Sequence, residues 1–391
     1  MQTSKFLAFF YKPRNLYIIG FIVTFVLSFS EVARGKHFNF IIFAESTRDF
    51  WNGISPYTQA WLDAHPREFL YTPVFSVLFT PFAYLPKLIG PFVWNLFNYT
   101  LFFVAIFTLP DKYTRQEKCR TFLYTFLILA TTLLAFQYNA VVFYLFLFAY
   151  GLQERDKSFW AVLLIMLSGF TKVYGIFQLA FLLCYPRFWR NMGYAVGIGV
   201  VLFALPLLKL SPSELLPYYR EWIEALSLHQ SSRIFDSVFF AEPFLNRTLP
   251  YFRIVQIGTL VLLAGLFLAN YKKYSSFAFR AQALGILMGW VILFSDSAEK
   301  HTYVIALGGY LLWYWNHAPR RIDKVLFWAN FVLLVLIPID VVCPIPVMRF
   351  VCYTLWLNIW VFLFTWLRMG YITFIRQVEP TTPELQTTKS V

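Results

Sequence analysis

Apolar runs of roughly membrane-crossing length, each bounded by charges or prolines, follow one another along most of the chain. A helix spanning a bilayer uses about 20 apolar residues. On that measure the pattern predicts about twelve crossings, at 16–33, 90–110, 120–136, 139–152, 159–171, 174–185, 191–209, 253–270, 280–295, 302–316, 325–342 and 350–367. One further run, 69–85, is apolar enough to cross but is interrupted by Pro73, Pro81 and Pro86. Proline removes a backbone donor and kinks a helix. The run is therefore predicted to be an interfacial or half-buried helix within a long first loop, 34–89.

Composition narrows the class. Of 391 residues, 59% are hydrophobic and 14% charged, where a soluble domain carries about a quarter charged residues. This excludes a soluble globular enzyme and gives the expected fold class: an all-α, polytopic helical membrane protein. The expected organisation is a single domain over 1–378, with a second external segment at 210–252 and a disordered cytoplasmic tail at 379–391. Aromatic residues reach 21%, in keeping with rings gathered at the membrane interfaces.

The net charge of +13 would point to nucleic acid on a soluble chain. Threading the spans alternately instead places 20 of the 33 Lys and Arg in seven short segments on one side. By the positive-inside rule those segments, both termini included, are cytoplasmic. The apolar run after Lys5, Lys12 and Arg14 has no small-residue cleavage site behind it and reads as an uncleaved first helix. Cys119, Cys184, Cys343 and Cys352 are widely spaced without a C-x-x-C, so neither a metal site nor a disulfide framework is indicated.

The unusual polar residues fall on the side opposite those cations. Gln137 and Asn139 lie in the turn between the third and fourth spans, and Lys172 is the lone charge between Lys157 and Arg187. Asp296, Glu299 and His301 lie between the ninth and tenth spans. An ionisable group at membrane depth costs a few kcal/mol and usually meets a cavity, a partner or a substrate. For Lys172 the alternative is snorkelling to the headgroups, for the acidic turn simple solvation, and for the two amides helix–helix hydrogen bonding. In the first loop Glu45 and Asp49 are four apart, hence on one face of a helix. A loop carboxylate opposite a membrane-level lysine suits transfer from a lipid phosphate, the acid taking the acceptor proton and the cation stabilising the leaving group.

Four blocks carry a resemblance: Asn39-Phe40-Ile41-Ile42-Phe43 through Gly53-Ile54-Ser55-Pro56-Tyr57; Phe69-Leu70-Tyr71-Thr72-Pro73 through Leu85-Pro86; Phe136-Gln137-Tyr138-Asn139-Ala140; and Gly169-Phe170-Thr171-Lys172 with Tyr185-Pro186-Arg187. In order and spacing over roughly residues 16–315 they resemble the polyprenyl-phosphate-dependent C-type glycosyltransferases, and within them the mannosyltransferase-like glycosyltransferase family 87. The resemblance implies the C-type fold in a bacterial inner membrane. It implies a polyprenyl-phosphate-sugar donor as co-substrate, a glycolipid or glycan acceptor on the extracytoplasmic face and inversion at the anomeric carbon. It implies no metal and no bound cofactor.

The position of the family's first-loop aspartate is occupied by Asn39, an amide that cannot act as a base. Glu45 is the expected replacement, with Asp49 beside it; Asp296 or Glu299 are the alternatives, and a chain that does not catalyse is the third. Lys172 and His301 are expected on the donor phosphate, Gln137 and Asn139 on polar groups of the substrates. Trp51, Trp61 and Trp222 are candidates for stacking on sugar or for interface anchoring. Two competing classes stay open: a lipid-linked sugar flippase, against which stands the lack of a repeat between the halves, and an inactive membrane scaffold of the same fold.

Overall fold

A computed structural model describes residues 9–65, 67–232, 241–294, 300–339 and 342–376. Helix follows helix, with no strand among the described residues. Helix α1, Pro13–Ala33, starts on a proline whose missing amide hydrogen costs nothing at a first turn. It lies against α5, Gly90–Phe107, and α6, Arg115–Leu134. Thr114 and Glu117 form a reciprocal capping box that sets the start of α6 five residues before the predicted span.

Between α1 and α5 the first loop folds into three helices: α2, Phe38–Asn52, α3, Gln59–Ala64, and α4, Pro73–Ala83. At about 1.5 Å per residue α4 is too short to cross a bilayer. It buries Phe75 and Phe79 against α2 and Val74 against Ala149 and Val162 of the next helix pair, and leaves Leu78 and Pro81 exposed.

Helices α7, Asn139–Gln153, and α8, Ser158–Thr171, form the next antiparallel pair. The predicted span 174–185 is a twelve-residue 3-10 helix, Val173–Cys184. Then come α9, Phe188–Ala204, α10, Pro212–Ser232, and α11, Ala241–Ala269. Helices α12, Phe277–Leu293, and α13, Tyr303–Tyr314, make the most extensive helix pair. A Cβ on Gly309 would sit 2.7 Å from the Gly285 carbonyl oxygen and 2.7 Å from the Met288 Cβ. Gly309→Val is accordingly expected to cost about 1–3 kcal/mol of stability by overpacking, read as earlier loss of the monodisperse peak on heating in detergent.

The C-terminal third departs from the predicted spans. Helix α14, Arg321–Asn330, continues as a π-helix only to Leu336, six residues short of the predicted end, because Pro338 follows and cannot donate to the ladder. Helix α15, Ile345–Arg349, runs on as a π-helix to Thr354 and stops at Trp356, whose left-handed backbone (φ 49°) breaks the run. Helix α16, Leu357–Gly370, restarts there and extends to Ile375. The predicted span 350–367 is thus two helices, not one.

Among the described residues, four helices are long and apolar enough to cross a membrane: Pro13–Ala33, Gly90–Phe107, Phe188–Leu208 and Leu357–Ile375. The other apolar helices are shorter. The expected tail at 379–391 lies outside the described residues.

Candidate active site

The α6–α7 turn is built by Phe136, a fully buried residue in the left-handed region (φ 52°). Burying its ring holds the reversal, so that Asn139 becomes the first residue of α7, with no exposed surface. On the neighbouring hairpin α8 ends at Thr171, and Lys172 is extended (φ −137°, ψ 112°) before the 3-10 helix. That doubling back demands a glycine: a Cβ on Gly175 would lie 2.6 Å from the Ser168 carbonyl carbon and 2.8 Å from the Gly169 nitrogen.

These two turns meet. The Lys172 ammonium donates to Asn139 Oδ1 at 2.7 Å, and the Tyr174 hydroxyl donates to the same oxygen at 2.6 Å. An ammonium has no acceptor, so the amide atom facing it is the oxygen. Asn139 Nδ2 is left buried without a hydrogen-bond partner, a donor with unspent capacity in a place where unsatisfied polar groups are rare. Lys172 Nζ also stands over the rings of Tyr174, at 5.0 Å, and Tyr71, at 5.9 Å, within the range of a cation–π contact.

Tyr71 is brought in by the first loop. Its carbonyl accepts from the Tyr57 hydroxyl at 2.7 Å, the Leu70 carbonyl accepts from Trp222 Nε1 at 3.1 Å, and the Thr72 hydroxyl donates to the Phe170 carbonyl. Its ring packs on Phe43, Phe75 and Tyr138. Hydrogen bonds thereby tie three successive residues to three separate parts of the chain, and the loop is fastened over Lys172.

The first-loop candidates divide between two faces of α2. Asn39 donates from Nδ2 to the Ala135 carbonyl at 2.6 Å, beside the turn that carries Gln137 and Asn139. Glu45 and Asp49 share another face, as their spacing predicts, and that face meets α3. Glu45 Oε2 is 3.7 Å from His65 Nε2, and Asp49 Oδ2 accepts from Trp61 Nε1 at 2.8 Å. The Trp61 and His65 rings are stacked at 3.7 Å, with His65 Nδ1 2.8 Å from the Trp61 carbonyl. Trp51 donates to Thr80, so all three candidate tryptophans spend their N–H groups inside the protein.

The His301 carbonyl accepts from Thr132 at 3.3 Å, which places that residue at the same end of the bundle. Asp296 and Glu299 lie outside the described residues. His37, two residues before Asn39 and facing Phe136, has its pKa lowered by burial.

Tyr71, Tyr174 and His65 take part without having been singled out in the sequence. The signal for the two tyrosines was there, one in the Tyr71-Thr72-Pro73 block and one two residues after Lys172. Nothing in the sequence marked His65.

The model of glycosyltransferase family 87 matches residues 69–295, more than half of the chain. No curated protein matches it. The matched stretch contains Tyr71, Asn139, Lys172 and Tyr174, whereas α2 with Asn39, Glu45 and Asp49 precedes it. The lysine, the amide and the two aromatic hydroxyls that the fold gathers at one end therefore sit on the shared scaffold, and the chain belongs to glycosyltransferase family 87, a family of membrane glycosyltransferases.

Proposed function

We propose that the protein transfers a hexose or pentose from a polyprenyl-phosphate sugar to a glycolipid or glycan acceptor, with inversion and without a metal. In this reading it sits in a bacterial inner membrane with both termini cytoplasmic and the Lys172 end extracytoplasmic. The observation that carries it is the Lys172–Asn139–Tyr174 cluster. An ammonium has three donors, so the bond to Asn139 is compatible with others to a phosphate, and the buried amide Nδ2 adds a neutral donor at the same place. Fixed donors of this kind stabilise charge that develops on a leaving group and need no reorganisation as it forms.

The acceptor hydroxyl oxygen attacks the anomeric carbon on the side away from the phosphate, and the bond from that carbon to the phosphate oxygen breaks. The phosphate leaves with the electron pair onto Lys172, with His301 assisting, and the hydroxyl proton passes to Glu45. Gln137 from the α6–α7 turn and Asn39 from the start of α2 orient polar groups, and Asp49, through Trp61, holds the face of α2 that carries Glu45. Asp296 and Glu299 remain candidates for substrate binding.

Asn39 supports a second reading, a membrane protein of the same fold without turnover, because its amide is anchored where the family resemblance implies a carboxylate. One assay separates the two. Purified protein is given a panel of radiolabelled polyprenyl-phosphate sugars and membrane lipid extract, with a chelator present. The expected outcome is transfer that survives chelation and falls about 10²–10⁴-fold in Glu45→Gln. Retained donor binding with no turnover from any member of the panel would establish the second reading; unchanged turnover in Glu45→Gln would remove Glu45 from the mechanism.

A further inference from the structure

At the end of the bundle away from Lys172, a groove of about 440 Å³ opens between α5, α7 and α8, lined by Thr108, Phe148, Gly151, Leu152, Arg155 and Leu164. Its walls are apolar and one cation closes its mouth. Arg155 donates from Nη1 to the Gly151 carbonyl at 2.8 Å and from Nη2 to the Thr108 carbonyl at 2.7 Å, so the guanidinium bridges the ends of α7 and α5. The bare Cα of Gly151 makes the space: a Cβ there would lie 3.0 Å from Arg155 Nη1. A guanidinium carries five N–H donors, and these two bonds leave three on an exposed side chain.

The depth of the groove is fixed by its neighbours. Phe159 and Trp160 are exposed by 43% and 56% at the start of α8, and tryptophan is one of the aromatic residues that collect at a membrane–water interface. Lys157 is exposed beside them, and Lys118, whose charge interacts with Asp111 and with Arg155, reaches the Leu109 carbonyl at 2.6 Å. A cation at headgroup level above an apolar furrow between helices is matched to a ligand with one phosphate and one hydrocarbon chain. Thr171 and Lys172 stand at the other end of α8, about 20 Å away by helix rise, so the phosphate of a donor held at Lys172 does not reach Arg155.

We infer that this groove is a binding site for an anionic phospholipid, its phosphate on Arg155 and an acyl chain between Phe148, Leu152 and Leu164. The test is native mass spectrometry of the full-length protein released from detergent after titration with dioleoyl phosphatidylglycerol or dioleoyl phosphatidylcholine. Phosphatidylglycerol is expected to be retained in preference to phosphatidylcholine. Arg155→Gln should weaken phosphatidylglycerol retention about fivefold, the worth of one cation at a headgroup surface, and leave phosphatidylcholine unchanged. Leu164→Trp, which fills the groove and keeps the cation, should weaken phosphatidylglycerol as well, and it serves as the deciding variant if Arg155→Gln does not fold. Equal retention of the two lipids, or phosphatidylglycerol retention unaltered in Leu164→Trp, would overturn the assignment.

Discussion

Lys172→Ala is expected to lower the turnover of sugar transfer about 10²–10³-fold with a much smaller change in KM. This is the scale on which removing one fixed donor to a developing anion acts. In the proposed reaction the leaving phosphate gains charge as the anomeric bond breaks, so the loss should fall on kcat, as for any interaction stronger in the transition state than in the ground state. Because Lys172 lies in an extended linker and is only partly buried, the fold should survive; Asn139 keeps its bond from Tyr174. Lys172→Arg should recover only part of the rate, since a planar fork does not replace a compact point charge between Asn139 and two rings. Steady-state kinetics on the purified variants, with gel filtration as the check on folding, decide the matter. Turnover near that of the unaltered protein in Lys172→Ala would end the phosphate-binding role of this residue.

The largest stability effect is expected at the opposite end. Glu154 receives two bonds from Arg280, at 2.6 and 2.7 Å, and a third from the Tyr185 hydroxyl at 2.5 Å, with both charged side chains mostly buried. The carboxylate thereby joins the end of α7, the start of α12 and the end of the 3-10 helix. Glu154→Ala leaves the guanidinium without its counter-charge, and breaking a buried pair in this one-sided way costs about 3–5 kcal/mol. The double variant Glu154→Leu with Arg280→Leu should be less damaging than Glu154→Ala, because the penalty lies mostly in the stranded charge. Loss of monodisperse protein on a temperature ramp in detergent measures both. A single variant as heat-resistant as the parent would show that the pair contributes little.

Most helix positions were legible because a membrane-facing helix must be apolar for nearly its whole length, while its ends must reach charge. That argument located α1, α5, α7 and α8 to within a few residues. It had less hold on the last third, where proline and a left-handed Trp356 divide runs whose hydropathy is continuous. Hydropathy reports burial in lipid and is blind to backbone dihedral angles. The site was legible in part. Lys172 and Asn139 stood out as polar residues in apolar surroundings, but their bond joins turns 33 positions apart, and no periodicity connects two turns. Helical spacing put Glu45 and Asp49 on one face correctly, yet it does not say which neighbour that face meets. Of the residues that fill that place, Trp61 belongs to a six-residue helix too short to show a pattern, and His65 caps its end.

The 3-10 helix has a consequence for how the two ends of the molecule depend on each other. Lys172 is tied to Asn139 and Tyr185 to Glu154, so the 13 steps from Lys172 to Tyr185 run alongside the 15 steps from Asn139 to Glu154. Fifteen α-helical steps cover about 22 Å and thirteen would cover only about 20 Å, whereas at the steeper 3-10 rise of about 2 Å per residue the same thirteen steps reach about 26 Å. The 3-10 winding thus lets fewer residues span the distance between the two tied ends than α7 uses. Relaxing the segment into an α-helix would shorten it by about 6 Å and leave it short of the span. The distance between the Lys172 cluster and the Glu154–Arg280 pair is therefore held by helix type as well as by sequence, and an altered winding at either end is felt at the other.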